Sequence, residues 1–304
     1  MSGRHSKHDL ERTPDDDILR DLEKRWDDAP SRVLRWRKDQ DVHDLDCDGT
    51  PGWDGDRDDG ERLVAARAAE LSELQERLFA DGRTGGNRSV LLVLQGLDTS
   101  GKGGIVRHVV GLVDPQGVAH RAFGVPTPEE AAHGYLWRIR NALPQPGYLG
   151  VFDRSHYEQV LVVRVDGLEP EETWRAHYDE INAFEAEIAA AGTAIVKVAL
   201  MVSRDEQKAR LRERLERPDK YWKYNPGDLK TRARFGDYLD AYQEAFERTS
   251  TDVAPWHVVP ADKKWFARLA VTELVLDALR SFDLGWPPAG FDVEEQLRLL
   301  DETG

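Results

Sequence analysis

The chain has 304 residues, of which 40% are hydrophobic and 33% charged, with a formal net charge of -15 and a single cysteine, Cys47. That composition supports a sizeable core, excludes an intrachain disulfide, and offers no apolar stretch near the roughly 18 residues a membrane helix needs. The acidic balance argues against non-specific nucleic-acid binding, which requires a positive surface. Residues 1–10 have no apolar signal-peptide core, so a cytoplasmic protein with no nucleic-acid and no membrane partner is expected.

Residues 1–62 hold 12 Lys/Arg against 19 Asp/Glu, so residues 1–60 are expected to form an acidic N-terminal arm, partly disordered or peripheral. A short helix is possible over 18–26, and Trp26, Trp36 and Trp53 are the residues to pin the arm to the body or to a partner subunit. From residue 61 the pattern changes. Leu63, Ala66, Leu71, Leu74 and Leu78 recur at helical spacing and predict a helix over 61–80. A Gly-rich turn over 81–87 leads into 89–95, S-V-L-L-V-L-Q, a continuous apolar run typical of a strand buried on both faces.

Beyond a glycine-rich loop, the pattern predicts a helix over 102–113, a strand over 118–123, a helix over 128–141 and a strand over 147–153. Helices follow to about 191. The remaining elements are a strand over 193–202, helices over 205–217 and 229–248, a strand over 256–260 and a helix over 263–281. Strands alternating with helices imply a parallel sheet with helices on both faces, a three-layer α/β/α arrangement. Residues 61–288 are expected to form one domain, with 289–304 a C-terminal tail.

The loop reads Gly96-Leu97-Asp98-Thr99-Ser100-Gly101-Lys102, which fits G-x-x-x-x-G-K between a buried strand and a helix. In such a loop, backbone N–H groups converge on phosphate oxygens and the helix N-terminus adds positive potential. The phosphate-binding candidates are therefore Gly96, Thr99, Ser100, Gly101, Gly103 and Gly104, with Lys102 as a point charge on the transferred phosphoryl. A Ser or Thr whose hydroxyl holds Mg²⁺ usually follows the lysine. Gly103 stands there instead, and Asp98 is the natural replacement ligand.

Asp153 ends a predicted strand, where this fold places a metal-binding carboxylate, and Arg154 beside it can clamp phosphate oxygens. Asp153 and Ser155 are also good helix N-caps, and that alternative stays open. Residues 203–234 carry 11 Lys/Arg against 6 Asp/Glu. Arg210, Arg214 and Arg217 fall on one helical face, and Lys220 and Lys223 interleave with Tyr221, Trp222 and Tyr224. Residues 203–230 read as a helical lid over phosphates, with Arg210, Arg214, Lys220 and Lys223 as its phosphate-binding cations. A solvated face balanced by Asp205, Glu206, Glu213 and Glu216 is the alternative.

Together these residues resemble the family-2 polyphosphate kinases, over about residues 60–288. The resemblance rests on G-x-D-x-x-G-K-G-G at 96–104, on F-D-R-S-H-Y-E-Q-V-L-V-V-R-V at 152–165 and on S-R-D-E-Q through R-P-D-K-Y-W-K at 203–223. D-P-Q-G at 114–117, H-G-Y-L-W-R at 133–138 and A-P-W-H-V-V-P-A-D-K-K-W-F at 254–266 also fit. It implies a P-loop kinase-like fold and Mg²⁺-dependent phosphoryl transfer, with Mn²⁺ as a substitute, between inorganic polyphosphate and a nucleoside mono- or diphosphate. Asp98 and Asp153 would organise the metal; Lys102, Arg154, Arg210 and Arg214 would hold phosphates. Phe123, Trp137, Arg138 and Glu158 are the nucleotide-binding candidates, and a homo-oligomer, dimer or tetramer, is expected. Members able to phosphorylate AMP and ADP tend to carry Asp at the position of Gly103 and Lys at that of Gly124. Two other readings remain: an ATP-dependent nucleotide or small-molecule kinase of the same fold, and a non-catalytic polyphosphate-binding module.

Overall fold

A computed structural model describes residues 14–303. The chain begins with α1 (Pro14–Glu23), α2 (Pro30–Val33) and the long α3 (Arg57–Arg83). The first half of the sheet follows as β1 (Ser89–Gln95), α4 (Lys102–His108), β2 (Val118–Ala122), α5 (Pro128–Ala131), α6 (Leu136–Arg140) and β3 (Leu149–Asp153). The second half comprises α7 (Val162–Asp166), α8 (Glu171–Ala190), β4 (Thr193–Met201), α9 (Arg204–Glu216), α10 (Asp228–Ala233), α11 (Phe235–Thr249), β5 (Trp256–Pro260) and α12 (Lys264–Arg280). A terminal helix, α13 (Val293–Glu302), closes the chain and is exposed along its whole length.

All five strands are parallel, in the order β2-β3-β1-β4-β5. Every residue of β1 is buried, as its unbroken apolar run requires. Period-2 alternation divides its side chains between two layers. Val90, Leu92 and Leu94 pack with Leu63, Leu71 and Leu78 of α3 and with the apolar face of α12. Leu91 and Val93 pack with Ile181, Phe184 and Ile188 of α8 and with Tyr242 and Phe246 of α11. The three-layer α/β/α expectation holds. Two predicted helices are interrupted: 128–141 is split around Gly134, and 229–248 breaks at Arg234. The helix at 102–113 ends at His108, where a 3-10 turn over Val110–Leu112 follows.

The described part of the N-terminal arm corrects the expectation of a peripheral segment. Trp36 donates its N–H to the Trp256 carbonyl at 2.8 Å, and Val258 donates to the Leu34 carbonyl at 2.8 Å. Arg35 thereby forms an antiparallel bridge with His257 on the free side of β5. The arm thus pairs the sheet edge that would otherwise be open. Its side chains enter the core: Leu34, Trp36, Val42 and Trp53 are all buried, Trp36 against Phe246 and Trp26 against Trp53 and Phe266. A low apolar fraction misleads here because the few apolar residues are large, and tryptophans bury much area each.

Candidate active site

The loop at 96–101 leaves the carboxyl end of β1, at the centre of the sheet, where open parallel sheets hold their ligands. Its shape is set by three residues at positive φ: Gly96 at 154°, Thr99 at 70° and Gly101 at 112°. Gly96 is obligatory, because a Cβ there would lie 2.5 Å from Ser100 Oγ and 2.6 Å from the Leu200 carbonyl. Thr99 pays backbone strain of about 1 kcal/mol. The Thr99 and Ser100 hydroxyl oxygens are buried with no protein hydrogen-bond partner. Each hydroxyl calls for a partner that the protein does not supply.

Lys102, expected to act as a point charge on the transferred phosphoryl, is turned toward the loop's own backbone. It is buried, and Nζ donates to the Gly96 carbonyl at 2.7 Å and the Leu97 carbonyl at 3.4 Å. Burial draws its pKa down; the Asp153 carboxylate opposes this most strongly, with Asp98 and Glu158 adding to the opposition and Arg154 reinforcing burial. All four of those charges act on the ammonium. β1 and β3 are paired in register, Leu94 opposite Asp153, which brings the second strand end beside the loop.

Arg154 takes positive φ, 64°, and its fork is divided between two carboxylates. Nη2 reaches Asp98 Oδ1 at 2.9 Å and Nη1 reaches Glu158 Oε2 at 3.0 Å. Glu158, then Asp98, raise the guanidinium pKa against desolvation. Glu158 is thus Arg154's partner on the wall of this site. Ser155, not Asp153, is the N-cap of the next turn, accepting from the Tyr157 N–H at 3.2 Å. Asp153 is therefore not spent on capping.

The lid cations differ from one another. Arg210 is buried; Nε donates to Glu206 at 2.7 Å, Nη1 to the Thr99 carbonyl at 2.9 Å, and Nη2 to the Ala261 and Asp262 carbonyls at 2.7 and 2.9 Å. The expectation of a phosphate clamp is corrected here, since all three nitrogens are occupied in bracketing the loop to α9 and the end of β5. Arg214 pairs with Asp228 at 3.3 Å and with the Lys223 carbonyl. Lys220 pairs with Glu213. Among the described residues Lys223 has no carboxylate partner and lies over the Trp222 ring at 4.9 Å. The balanced-face alternative accordingly describes part of the lid, through Glu206, Glu213 and Asp228.

Of the expected nucleotide-binding residues, Glu158 lines the hollow beside the loop, and Phe123, Trp137 and Arg138 do not. Phe123 is a core residue, edge-on to Phe152 at 4.9 Å. Arg138 donates to the Gly124 carbonyl at 2.9 Å and stacks over Phe123, while Trp137 stacks on His133. The hollow that opens on the loop is lined instead by Asp98, Arg154, Glu158, Leu161, Tyr238 and Tyr242, among others. Reading the sequence missed the two tyrosines, which sit on α11 at i, i+4, a spacing indistinguishable from ordinary core packing.

It also missed what lies behind Arg154. Lys197, fully buried in β4, donates to Glu185 at 2.6 Å, to Tyr157 Oη at 2.7 Å and to the Thr249 carbonyl at 2.7 Å. Glu185 also accepts from Tyr157 Oη at 2.8 Å and lies 3.2 Å from His156 Nε2. This network grips the two residues that follow Arg154-Ser155. A lysine in the middle of T-A-I-V-K-V-A-L-M was the one available signal.

Among the described residues no group of three or more His, Cys, Asp or Glu side chains could hold a metal ion. Mg²⁺ does not need one: it is usually bound by one or two carboxylates plus substrate phosphates and water. Asp98 and Asp153 near Lys102, with the unpartnered Thr99 and Ser100 hydroxyls, fit that kind of provision.

A parallel sheet of this order, with a lysine-tipped glycine loop on its central strand and an acidic neighbouring strand end, defines a P-loop phosphotransferase. The sequence model of polyphosphate kinase 2 (PPK2) matches residues 54–284. The chain belongs to that family. It is 42% identical over 243 residues to the AMP/ADP-polyphosphate phosphotransferase of Meiothermus ruber, covering 80% of this chain and 90% of the relative. It is 38% identical over 237 residues to the ADP-polyphosphate phosphotransferase of Rhodopseudomonas palustris, covering 74% and 81%. The crystal structure of polyphosphate kinase 2 from Arthrobacter aurescens TC1 superposes with a TM-score of 0.89 at 52% identity, covering 91% of this chain and 98% of that one. No helix among the described residues is long and apolar enough to cross a membrane.

Proposed function

We propose that the protein transfers phosphoryl groups between inorganic polyphosphate and a nucleoside mono- or diphosphate, with Mg²⁺ as cofactor and Mn²⁺ able to replace it. The observation that carries this reading is the loop itself: two buried, unpartnered hydroxyls and Lys102 lie among Asp98, Asp153 and Arg154, and Gly103 replaces the usual hydroxyl residue. The relatives named as polyphosphate phosphotransferases support it. An ATP-dependent kinase of this fold would ordinarily keep a hydroxyl after the lysine.

Phosphoryl transfer of this kind rests on positioning and charge stabilisation. Lys102 and the loop N–H groups hold the phosphoryl being moved. Arg154 exchanges a carboxylate partner for phosphate oxygens, a charge-assisted trade between like acceptors. Asp98 and Asp153 would hold the divalent cation, which when bound neutralises phosphate charge. The lid, bracketed to the loop through Arg210, covers the phosphates and excludes water. The acceptor lies in the hollow beside Arg154, its base against Tyr238 and Tyr242. A cytoplasmic homo-oligomer belongs to the same reading, supported by the family resemblance; light scattering on the purified protein tests its assembly.

The test is to incubate purified protein with Mg²⁺, polyphosphate and, separately, AMP, ADP, GMP and GDP, and to resolve the products. Polyphosphate-dependent formation of the next higher nucleotide is expected. Turnover with ATP but none with polyphosphate would replace this reading with an ATP-dependent kinase.

A further inference from the structure

Gln95 is the last residue of β1 and directly precedes the phosphate loop. A glutamine there reads as a strand end reaching water, yet its exposure is only 1%. A buried amide needs partners for its oxygen and for its NH2. The function proposed above gives this side chain no task.

The backbone ladder between β1 and β3 stops at this point. Arg154 donates its N–H to the Leu94 carbonyl at 3.0 Å. The two chains then part, Gly96 turning away at φ 154° and Arg154 at φ 64°. The next N–H in line is that of Ser155, which is fully buried, and it meets the Gln95 side chain where a backbone carbonyl would have stood. A peptide N–H can only donate and a carboxylate can only accept, so the surroundings dictate how the amide sits. Its oxygen faces Ser155, accepting from the N–H at 3.1 Å and from Oγ at 3.0 Å, and its NH2 donates to Glu158 Oε1 at 3.1 Å. The other carboxylate oxygen, Glu158 Oε2, accepts from Arg154 at 3.0 Å. Glu158 is thus gripped at both oxygens, by Gln95 at one and by Arg154 at the other.

The segment 155–158 is therefore held from two sides, and the two holds differ. Behind it, Glu185 and Lys197 bind His156 and Tyr157. In front, Gln95 reaches the carboxylate that steers Arg154. A non-glycine residue at positive φ keeps that conformation only where its surroundings over-determine it, and Gln95 supplies that constraint from the root of the loop itself.

We propose that Gln95 is a positioning residue for the transfer: by fixing Glu158 it sets the direction of the Arg154 fork between Glu158 and Asp98, so that the guanidinium meets phosphate oxygens already oriented. The proposal rests on the function given above and deepens it. Only an amide does both jobs. A carboxylate at position 95 would oppose Glu158, and an apolar side chain would leave the Ser155 N–H and Glu158 Oε1 unmet. Displacing a positioned group by about 1 Å costs up to about a hundredfold in rate, so loss of this strut belongs in kcat rather than in substrate binding.

The experiment uses Gln95→Met, Gln95→Glu and the exchange variant Gln95→Glu/Glu158→Gln. Each is checked for folding by circular dichroism and assayed with polyphosphate and the nucleotide that wild type accepts. Gln95→Met should lower kcat by about tenfold or more and leave both KM values within about twofold. In Gln95→Glu two carboxyls lie side by side, so the introduced one has a raised pKa. Protonated, it donates to Glu158 as the amide does; ionised, it repels Glu158. The ratio of its kcat to that of wild type should therefore be highest at about pH 5 and fall as pH rises to about 8. Arg154, Lys102, Tyr238 and Tyr242 also face Glu158, with Asp98 and Asp153 around Lys102. All of these are common to both proteins and drop out of the ratio. The exchange variant restores one donor and one acceptor, so it should outrun Gln95→Glu at about pH 8 and lose the slope.

Wild-type kcat in a folded Gln95→Met protein would overturn the strut and leave the proposed activity standing. So would a flat pH ratio in Gln95→Glu, an exchange variant no faster than Gln95→Glu, or a lowered melting temperature with kcat unchanged. If Gln95→Met fails to fold, Gln95→Glu, which conserves the side-chain volume, decides between these outcomes. A wild-type protein with no polyphosphate-dependent turnover would remove the activity itself, and the strut's role with it.

Discussion

In the loop at 96–101, position is fixed by backbone. Left-handed residues set the curve, Gly96 is enforced by contacts at 2.5 and 2.6 Å, and two hydroxyls are left buried without partners. In the lid at 203–230, position is fixed by side chains that satisfy one another. Arg214 meets Asp228, Lys220 meets Glu213, and Tyr221 and Trp222 stand exposed. A backbone-built site is rigid and pays its strain whether or not a ligand is bound. A charge-built segment holds carboxylates that phosphates would replace under the proposed function. Arg210 is the joint between the two, a lid residue whose nitrogens are occupied by the Thr99, Ala261 and Asp262 carbonyls and by Glu206.

The largest effect expected is on the loop side. Lys102→Ala should lower kcat by about a thousandfold, because transfer rests on charge placed at the moving phosphoryl. Melting should shift by only a few degrees, since the lost contacts are hydrogen bonds worth about 1 kcal/mol each. Near-normal turnover in a folded Lys102→Ala protein would break the assignment of the loop as the rigid, reacting half.

The scaffold behind the loop comes next. Glu185→Gln leaves Lys197 charged and buried with its carboxylate gone, which costs about 3–5 kcal/mol. Urea unfolding should register that loss, and Glu185→Leu/Lys197→Met should recover most of it. Little destabilisation in Glu185→Gln would mean the Arg154 strand end is not held from behind.

Acid should weaken the same scaffold. His257 lies behind Lys197, with Nδ1 3.2 Å from the Lys197 carbonyl, and burial lowers its pKa from 6.5 to about 4. The unfolded chain then binds the proton more readily. The stability associated with neutral His257 is full above pH 6.5 and is lost as pH falls from 6.5 to 4, by about 3 kcal/mol in all. Burial also lowers the pKa of His156, which adds in the same direction. His257→Gln should flatten the fall in melting temperature over that window; an unchanged pH profile would show that His257 does not titrate with folding.

The smallest effects separate joint from lid. Arg210→Ala should cost about 1–3 kcal/mol of stability, by leaving buried carbonyls unpaired, and should reduce kcat about tenfold. Lys223→Ala, exposed and unpaired, should leave stability unchanged and raise polyphosphate KM by a few-fold, an effect that added salt should erase. Identical phenotypes would dissolve the distinction between them.

The loop, the strand order of events and the acidic strand end were legible in the sequence because each depends on local rules: an apolar run, a glycine spacing, a carboxylate after a strand. The lining of the hollow beside the loop was not. Phe123 looked available but packs on Phe152, whereas Tyr238 and Tyr242 looked like core and line the hollow. Periodicity reports which residues share a face, and it is silent on which neighbour that face meets. For the same reason the lid's surplus of cations was countable, yet their division among bracket, internal pair and free charge was not.

What the sequence determined by itself was the parallel three-layer sheet and the phosphate loop, since backbone conformation and hydrophobic period act over a few residues at a time. What only the tertiary structure decided was the company each charge keeps. It brought residues 34–36 against β5, put Lys197 onto Glu185, and turned Arg210 inward. Electrostatic partners are chosen by distance in space, and no spacing along the chain encodes that distance.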